Sequence, residues 1–217
     1  MALLRRRSIW LPTWQGLLLL TIAFALVATL LARHAYALLA CDAPLPAART
    51  LVVEGWMDPA ELTQVAALLR RGQYQHVLTT GGPLDGWSAL VDERSAAGRA
   101  AEFLRASEGV NVPVAAVDTP ATTRDRTHVS ALTLRDRARA SGAPLTNFDL
   151  ITVGAHARRS WLTYRMVFGD EVEIGVRVVA PTRFDGPRWW TSSEGAKKTV
   201  DEALSLAWVK CCFWPSD

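Results

Sequence analysis

Short apolar runs alternate along the chain with segments in which apolar residues recur every three or four positions. The runs, of which Thr50–Glu54 is one, are typical of strands buried on both faces of a sheet. The other segments have the spacing of amphipathic helices, and Asp58, Pro59 and Glu61 supply a capping box and a first-turn proline for one of them. Strands are predicted at 50–54, 76–80, 112–117, 148–153 and 174–179, and helices at about 59–72, 92–107, 124–141 and 157–168, before a last helix with Thr191 and Glu194 in capping-box spacing.

Alternating strands and helices indicate an α/β fold, because a parallel sheet needs a crossover helix between successive strands. We therefore expect one three-layer α/β/α Rossmann-like domain with a mainly parallel sheet over residues 49–217. The Ala- and Pro-containing segment 41–48 is predicted to be a linker, and residues 1–40 a cytoplasmic N-terminus followed by one transmembrane helix.

The chain has no charged residue from Ser8 to Ala32, which is long enough for a helix to cross a bilayer. Trp10 and Trp14 stand at one end of this run, where amphipathic rings favour the membrane interface. The pattern predicts that the lipid bilayer is a partner of the chain through residues 9–32.

The basic residues 5–7 precede the span, so the positive-inside rule keeps the N-terminus in the cytoplasm. We expect a single-pass protein of the plasma (inner) membrane with its soluble domain on the periplasmic or extracellular side. Two alternatives stay open, a signal-peptidase site at residues 35–37 and a lipoprotein processing box that ends at Cys41.

The formal net charge is only +3, and the arginines before the span account for it. No electrostatic footprint for nucleic acid is left, so no nucleic-acid partner is expected. Cys211 and Cys212 are adjacent, which is not a metal-ligand spacing, and no metal site is predicted. No motif identifies a cofactor.

Polar residues follow the predicted strands, where ligands bind in doubly wound sheets. They are Glu54-Gly55, Thr79-Thr80-Gly81-Gly82, Asp118-Thr119, 154–156 and Thr182-Arg183. Because the carboxyl ends of parallel strands share one edge of the sheet, these residues predict one pocket there. Glu54 and Asp118 are candidate bases or partners for arginines, and Gly81 and Gly82 let the backbone approach a ligand or simply form a turn.

His156, Arg158 and Arg159 follow a buried strand at the start of a helix, a place suited to a phosphate or a carboxylate. His156 is a candidate general acid, and the splay of side chains in a first turn lets one of the two arginines face the pocket. Arg126 and Thr127 open another helix and are further candidates for anion binding, whereas Arg124 could pair with Asp125 or simply meet solvent.

Aromatic residues are frequent towards the C-terminus, where Trp189 and Trp190 are adjacent. Core packing is expected for these two and for Trp208, which shares one helical face with Val200, Ala203, Leu204 and Ala207. A groove for a sugar or lipid, or contact with the membrane together with Phe213 and Trp214, are the alternatives.

The chain resembles the YdcF/SanA/ElyC-type family of bacterial envelope proteins over about residues 50–212. The resemblance rests on short motifs in a fixed order: 52–56, 78–83, 125–127 with 130–131, 154–159, and 189–190 before 193–195. It implies a Rossmann-like fold and a role in envelope biogenesis, in peptidoglycan or its lipid carrier. It supplies no established reaction.

Together these features predict a membrane-anchored protein that binds or acts on a phosphorylated or lipid-linked cell-wall precursor, so its ligand is an anionic or lipid-linked small molecule. As an enzyme it would be a hydrolase or a transferase. One alternative is a non-enzymatic ligand-binding or scaffold module, because neither a GxSxG motif nor a triad is recognisable. Another is a cofactor-dependent cytoplasmic transferase, which requires the opposite topology.

Overall fold

The computed structural model describes residues 11–84, 95–142 and 144–213. The chain divides into two units, residues 1–35 and 36–217. Helix α1, Trp14–Leu39, has a mean hydropathy of 2.2 in its most apolar window, and within the described residues it is the helix long and apolar enough to cross a membrane. By length and composition it could be a single span or a signal sequence; residues 9 and 10 of the predicted span lie outside the described residues.

Five parallel strands form the sheet of the second unit, in the order β3-β2-β1-β4-β5. They are β1 Thr50–Glu54, β2 His76–Gly81, β3 Val114–Asp118, β4 Asn147–Val153 and β5 Glu173–Val179. The α/β class and the parallel sheet are thus confirmed. In the central strand, Leu51, Val52 and Val53 are fully buried, which explains the uninterrupted apolar run.

The helices that connect the strands cover both faces of the sheet. They are α2 Pro59–Leu69, α3 Ala96–Ala106, α4 Arg126–Ala140 and α5 Ala157–Phe168, and they are followed by α6 Ser193–Cys211. One core cluster joins α2 and α3 to one face of the sheet, and a second joins α4 and α5 to the other face. This arrangement is the three-layer Rossmann-like architecture.

The N-caps of α2 and α6 test two helix starts that the sequence predicts. The capping box at Asp58 is present, with the Asp58 carboxylate accepting from Glu61 N and the Glu61 carboxylate accepting from Asp58 N. The prediction of Thr191 as the N-cap of the last helix was wrong by one residue, because Ser192 Oγ accepts from Gly195 N at 3.0 Å. The predicted start of the second soluble helix, at Asp92, lies outside the described residues.

The segment predicted as a linker is bound to the domain rather than free. Ala43 pairs with Val176 of β5 in an antiparallel bridge, and Asp42 Oδ1 accepts a hydrogen bond from Val178 N at 3.0 Å. Leu45 N donates to the buried carboxylate of Asp149 at 2.8 Å. These contacts cover part of the otherwise open edge of β5, which protects it from pairing with another chain.

The folded domain begins before that segment, at the end of α1. Tyr36 and Leu39 are buried, and the Leu38 carbonyl accepts a hydrogen bond from Arg158 Nε. Gly186 and Gly154 form the slot for the Tyr36 ring, because an added Cβ on either glycine would meet the tyrosine side chain. Residues 36–40 are therefore part of the domain.

Candidate functional site

The strand order places a topological switch point between β1 and β4. From β1 the chain moves outward through β2 to β3, and it then returns across the sheet to β4 and β5. The connections diverge there, which leaves a crevice beyond the carboxyl ends of the two strands, where ligands of such folds bind. A cavity of about 1460 Å³ occupies this position, and Glu54 and His156 are among its lining residues.

Glu54 ends β1 and lies on the floor of the cavity with 3% of its surface exposed. Thr152 of β4 donates a hydrogen bond to one carboxylate oxygen, and Ser160 of α5 donates to the other at 2.9 Å. Burial alone would raise the pKa of Glu54, but His156 and these hydroxyls hold it below its ordinary value. Glu54 is therefore a fixed negative charge rather than an available base.

His156 lies between two carboxylates. Its Nε2 is 3.5 Å from Glu54 Oε2, and its Nδ1 is 2.8 Å from Glu202 Oε1. Burial would lower the pKa of His156, but the two carboxylates raise it to about 9, so the ring is an imidazolium at neutral pH. Nε2 is buried and faces the carboxylate of Glu54 at a distance longer than a hydrogen bond.

Glu202 of α6 is a site residue that the sequence analysis missed. It accepts from Arg159 Nε at 2.8 Å and from Arg159 Nη2 at 3.2 Å, in addition to its contact with His156. Burial opposes its ionisation, but the two cationic partners lower the pKa of Glu202 far below its ordinary value. No local signal marks Glu202, because it lies on a helix more than forty positions beyond its partners.

The charges of this network balance. The carboxylates of Glu54 and Glu202 offset the guanidinium of Arg159 and the imidazolium of His156. His156 and Arg159, which the sequence suggested as free anion-binding cations, are therefore already paired within the protein. An anion must be held chiefly by other groups at the cavity.

Two helix N-termini supply such groups. Arg126 and Thr127 at the start of α4, and the 3-10 turn Gly154–His156 that leads into α5, all line the cavity. Neither start has a side-chain cap, whereas α2, α3 and α6 are capped by Asp58, Ser95 and Ser192. First-turn N–H groups and the helix dipole favour negative charge.

The residue before α4 has an unusual backbone. Asp125 has φ 51°, and among the described residues it is the non-glycine residue with a positive φ. A left-handed conformation costs free energy in an L-residue with a side chain, and such strain clusters at functional sites. Asp125 is among the residues that line the same cavity.

Gly81 and Gly82 also line the cavity, but packing explains why they are glycines. A Cβ on Gly81 would lie 2.9 Å from Ala96 Cβ, and one on Gly82 would lie 3.2 Å from Thr119 Oγ1. The first-turn residue Ala96 and the β3 loop therefore approach the end of β2 closely. Both glycines line the cavity, as the sequence predicted. Their contact with a ligand stays a prediction.

Two predicted site residues lie outside the set that lines the cavity. Asp118 is exposed at the end of β3 and accepts a hydrogen bond from Ser95, the N-cap of α3. Arg158 donates to the Leu38 carbonyl. The structure therefore brings together Glu54, His156 and Arg159 but not Asp118 or Arg158, and of the two adjacent arginines Arg159 is the one at the cavity.

Part of the cavity wall is apolar. Trp56 stacks edge-on against His156, with ring centroids 5.1 Å apart, and Leu204, Trp208 and Val209 of α6 line the same space. The expected core packing holds for Trp189, which is buried, but was wrong for Trp190 and Trp208, because both are exposed. Phe213 contacts His128, and Trp214 lies outside the described residues.

The part of the chain that the structure describes contains no cluster of three or more histidine, cysteine or carboxylate side chains suited to a metal ion. Its three cysteines are unpaired thiols. No protein-family model, curated protein or solved structure matches the chain.

Proposed function

We propose that this protein is a membrane-anchored envelope protein that binds a phosphorylated, lipid-linked cell-wall precursor in the cavity at the switch point. The observation that carries the proposal is that two uncapped helix N-termini open on a cavity that also has an apolar wall. An amphiphile with a phosphorylated head group matches both features. The resemblance to the YdcF/SanA/ElyC-type family favours the same class of ligand.

The head group would lie against the starts of α4 and α5. Backbone N–H groups of Thr127 and Ala155 and the side chain of Arg126 would hold phosphate oxygens. The imidazolium of His156, which also lines the cavity, would add positive charge beside the head group. Trp56 and Leu204 would contact the apolar part of the precursor.

In an enzyme, His156 would act as the general acid, because its imidazolium could protonate a leaving-group oxygen. Glu54 and Glu202 would be positioning residues that keep the ring charged and oriented. The reaction class would be hydrolysis or transfer at the phosphate.

We infer that the anchor is retained and that the N-terminus is cytoplasmic. Signal peptidase cleavage after residue 37 would remove Tyr36, and lipoprotein processing at Cys41 would also remove Leu39 and the Leu38 acceptor of Arg158. Both cuts would take buried contacts from the domain. The basic residues 5–7 then favour a domain on the periplasmic or extracellular side.

The intact mass of the protein purified from membranes checks this inference. We expect the mass of the chain without loss of any residue beyond Met1. A mass that begins after residue 37, or a lipid-modified Cys41, contradicts it.

Ligand binding is tested with the full chain in detergent micelles, using a polyprenyl phosphate and the matching polyprenol. We expect the phosphate form to bind more tightly. Arg126→Gln should weaken its binding about tenfold, as loss of a charge-assisted hydrogen bond of about 1.5 kcal/mol implies. Arg124→Gln is the matched control, because Arg124 is exposed and is not among the residues that line the cavity. Equal binding of both lipids, or equal loss in both variants, contradicts the proposal.

A non-enzymatic binding module is the second candidate. It is favoured by the satisfied carboxylate of Glu54, whose lowered pKa makes it a poor base for activating water. Incubation of the protein with the phosphorylated lipid distinguishes the two. Turnover that His156→Gln abolishes while binding persists supports the enzyme, and binding without turnover across the pH range supports the module.

A further inference from the structure

Helix α6 has an apolar face that the domain does not cover. Val200, Leu204 and Trp208 are 48%, 66% and 58% exposed and follow one another at intervals of four positions, so they form one stripe. On the same helix Thr199 and Leu206 are buried and face the domain. We call Val200, Leu204 and Trp208 the α6 stripe.

We propose that the α6 stripe docks on the surface of a lipid bilayer. The inference rests on α1 crossing the membrane but not on the ligand proposed for the cavity. Only Arg33, His34 and Ala35 separate the end of the uncharged run at Ala32 from Tyr36, which is buried in the domain. So short a connection holds the domain at a high effective concentration next to the bilayer, where a small apolar surface is enough for binding.

The chemistry of α6 is that of an interfacial helix. Trp208 carries an amphipathic ring of the kind enriched at membrane interfaces. Lys197 is exposed and lies on the same helical face as the stripe, so its stem can lie on the lipid while its ammonium group reaches the head groups. Asp201 is an exposed carboxylate of the same helix, so apolar contact rather than net charge dominates the expected binding.

The position of the α6 stripe has a consequence for the cavity. Leu204 and Trp208 also line it, as do Arg126 and Thr127. A docked stripe therefore brings the mouth of the cavity to the bilayer surface. A molecule dissolved in the bilayer could enter the cavity without crossing water.

The test uses the full chain in vesicles of phosphatidylcholine and phosphatidylglycerol, with Cys41, Cys211 and Cys212 replaced by serine. A fluorescent NBD label is attached to Leu204→Cys, and to Arg139→Cys as the matched control at an exposed position near the end of α4. We expect blue-shifted emission at position 204 and quenching by doxyl-labelled lipids, with neither effect at position 139.

A second labelled variant separates lipid contact from other contacts. The label at Trp208→Cys should lose its quenching when Val200→Glu and Leu204→Glu are added. Both positions are exposed, so we expect the variant to fold, and circular dichroism checks this. Emission at position 204 that matches position 139 overturns the proposal. A blue shift at position 204 that grows with protein concentration, without quenching by doxyl-labelled lipid, also overturns it. In that case a second copy of the chain covers the α6 stripe.

Discussion

At the scale of single residues, the state of His156 depends on which partner its Nδ1 has. This nitrogen lies 2.8 Å from both Glu202 Oε1 and Arg159 Nη2, but it cannot donate to one and accept from the other at once. With its pKa raised to about 9, the protonated Nδ1 donates to Glu202, and Arg159 keeps its own two contacts with that carboxylate. Glu202 is thus the residue that fixes the orientation of the imidazole ring of His156.

The raised pKa of His156 predicts a pH dependence of stability. A group whose folded pKa lies above its unfolded value of about 6.5 stabilises the fold fully below pH 6.5 and loses this contribution as pH rises through about 9. The free energy of unfolding of the wild type should therefore fall over this window by up to about 3 kcal/mol relative to His156→Gln. Chemical denaturation at a series of pH values measures the difference.

An NMR titration of the histidines provides the control. Glu202→Gln should move the pKa of His156 from about 9 towards its ordinary value, because one of the two raising carboxylates is lost. The resonances of His76, which is exposed and distant in sequence, serve as the internal reference. Parallel stability curves for wild type and His156→Gln across pH 6.5 to 9 would contradict the assigned charge state.

At the scale of elements, the sequence pattern predicted the helix and strand boundaries correctly where local residues such as caps and glycines set them. The boundaries of α5 agreed with the prediction because an apolar strand before it and glycine at position 169 limit it on both sides. The start of α6 was displaced by one residue because Thr191 and Ser192 are both competent caps. Only the conformation of the turn Trp189–Thr191 selects Ser192.

The cap assignment predicts a difference between two neighbouring substitutions. Ser192→Ala should lower the free energy of unfolding by about 1 kcal/mol, because the hydrogen bond to Gly195 N is lost. Thr191→Ala should cost less, because the exposed Thr191 hydroxyl only donates to the Arg188 carbonyl. Denaturation of the two variants side by side is the measurement, and a larger effect at Thr191 would reverse the assignment.

The apolar pattern of α6 shows where element-scale reasoning fails. Val200, Leu204 and Trp208 have the spacing of a core-facing helix, yet they are exposed. A helical pattern reports that a face needs a partner, but the partner can be a protein core, a membrane or another molecule. Only the tertiary packing shows that α6 instead buries Thr199 and Leu206 against the domain.

At the scale of the whole molecule, the domain includes the last residues of helix α1, which pack into it from Tyr36 onward. Tyr36 is wedged between Gly154, which precedes the site histidine, and Gly186. The backbone of the site turn is thereby supported from the end of α1.

This packing predicts energetic coupling between Tyr36 and Gly186. Tyr36→Ala should destabilise the domain by about 3 kcal/mol through the cavity it leaves. Gly186→Ala should also destabilise it, because its Cβ would collide with the tyrosine ring. In the double variant the collision is absent, so the two effects should not add, and a double-mutant cycle measures the coupling. Additive effects would show that the ring does not occupy the slot.

The sequence by itself determined the class of fold and the edge of the sheet that carries the site. Both follow from local causes: apolar runs form buried strands, caps and prolines start helices, and parallel strands all end at one edge. The sequence therefore placed Glu54, Gly81, Arg126 and His156 in one region without knowledge of any contact.

Tertiary structure alone decided how those groups are used. Glu202 reaches His156 and Arg159 from a helix distant in sequence, and it turns two expected free cations into a balanced network. Asp118 accepts a hydrogen bond from Ser95, and Arg158 donates one to the Leu38 carbonyl. Both residues come after predicted strands, which is why the sequence pattern assigned them to the pocket. Pairing and burial depend on distances across the fold, and a linear pattern of polar and apolar residues does not contain those distances.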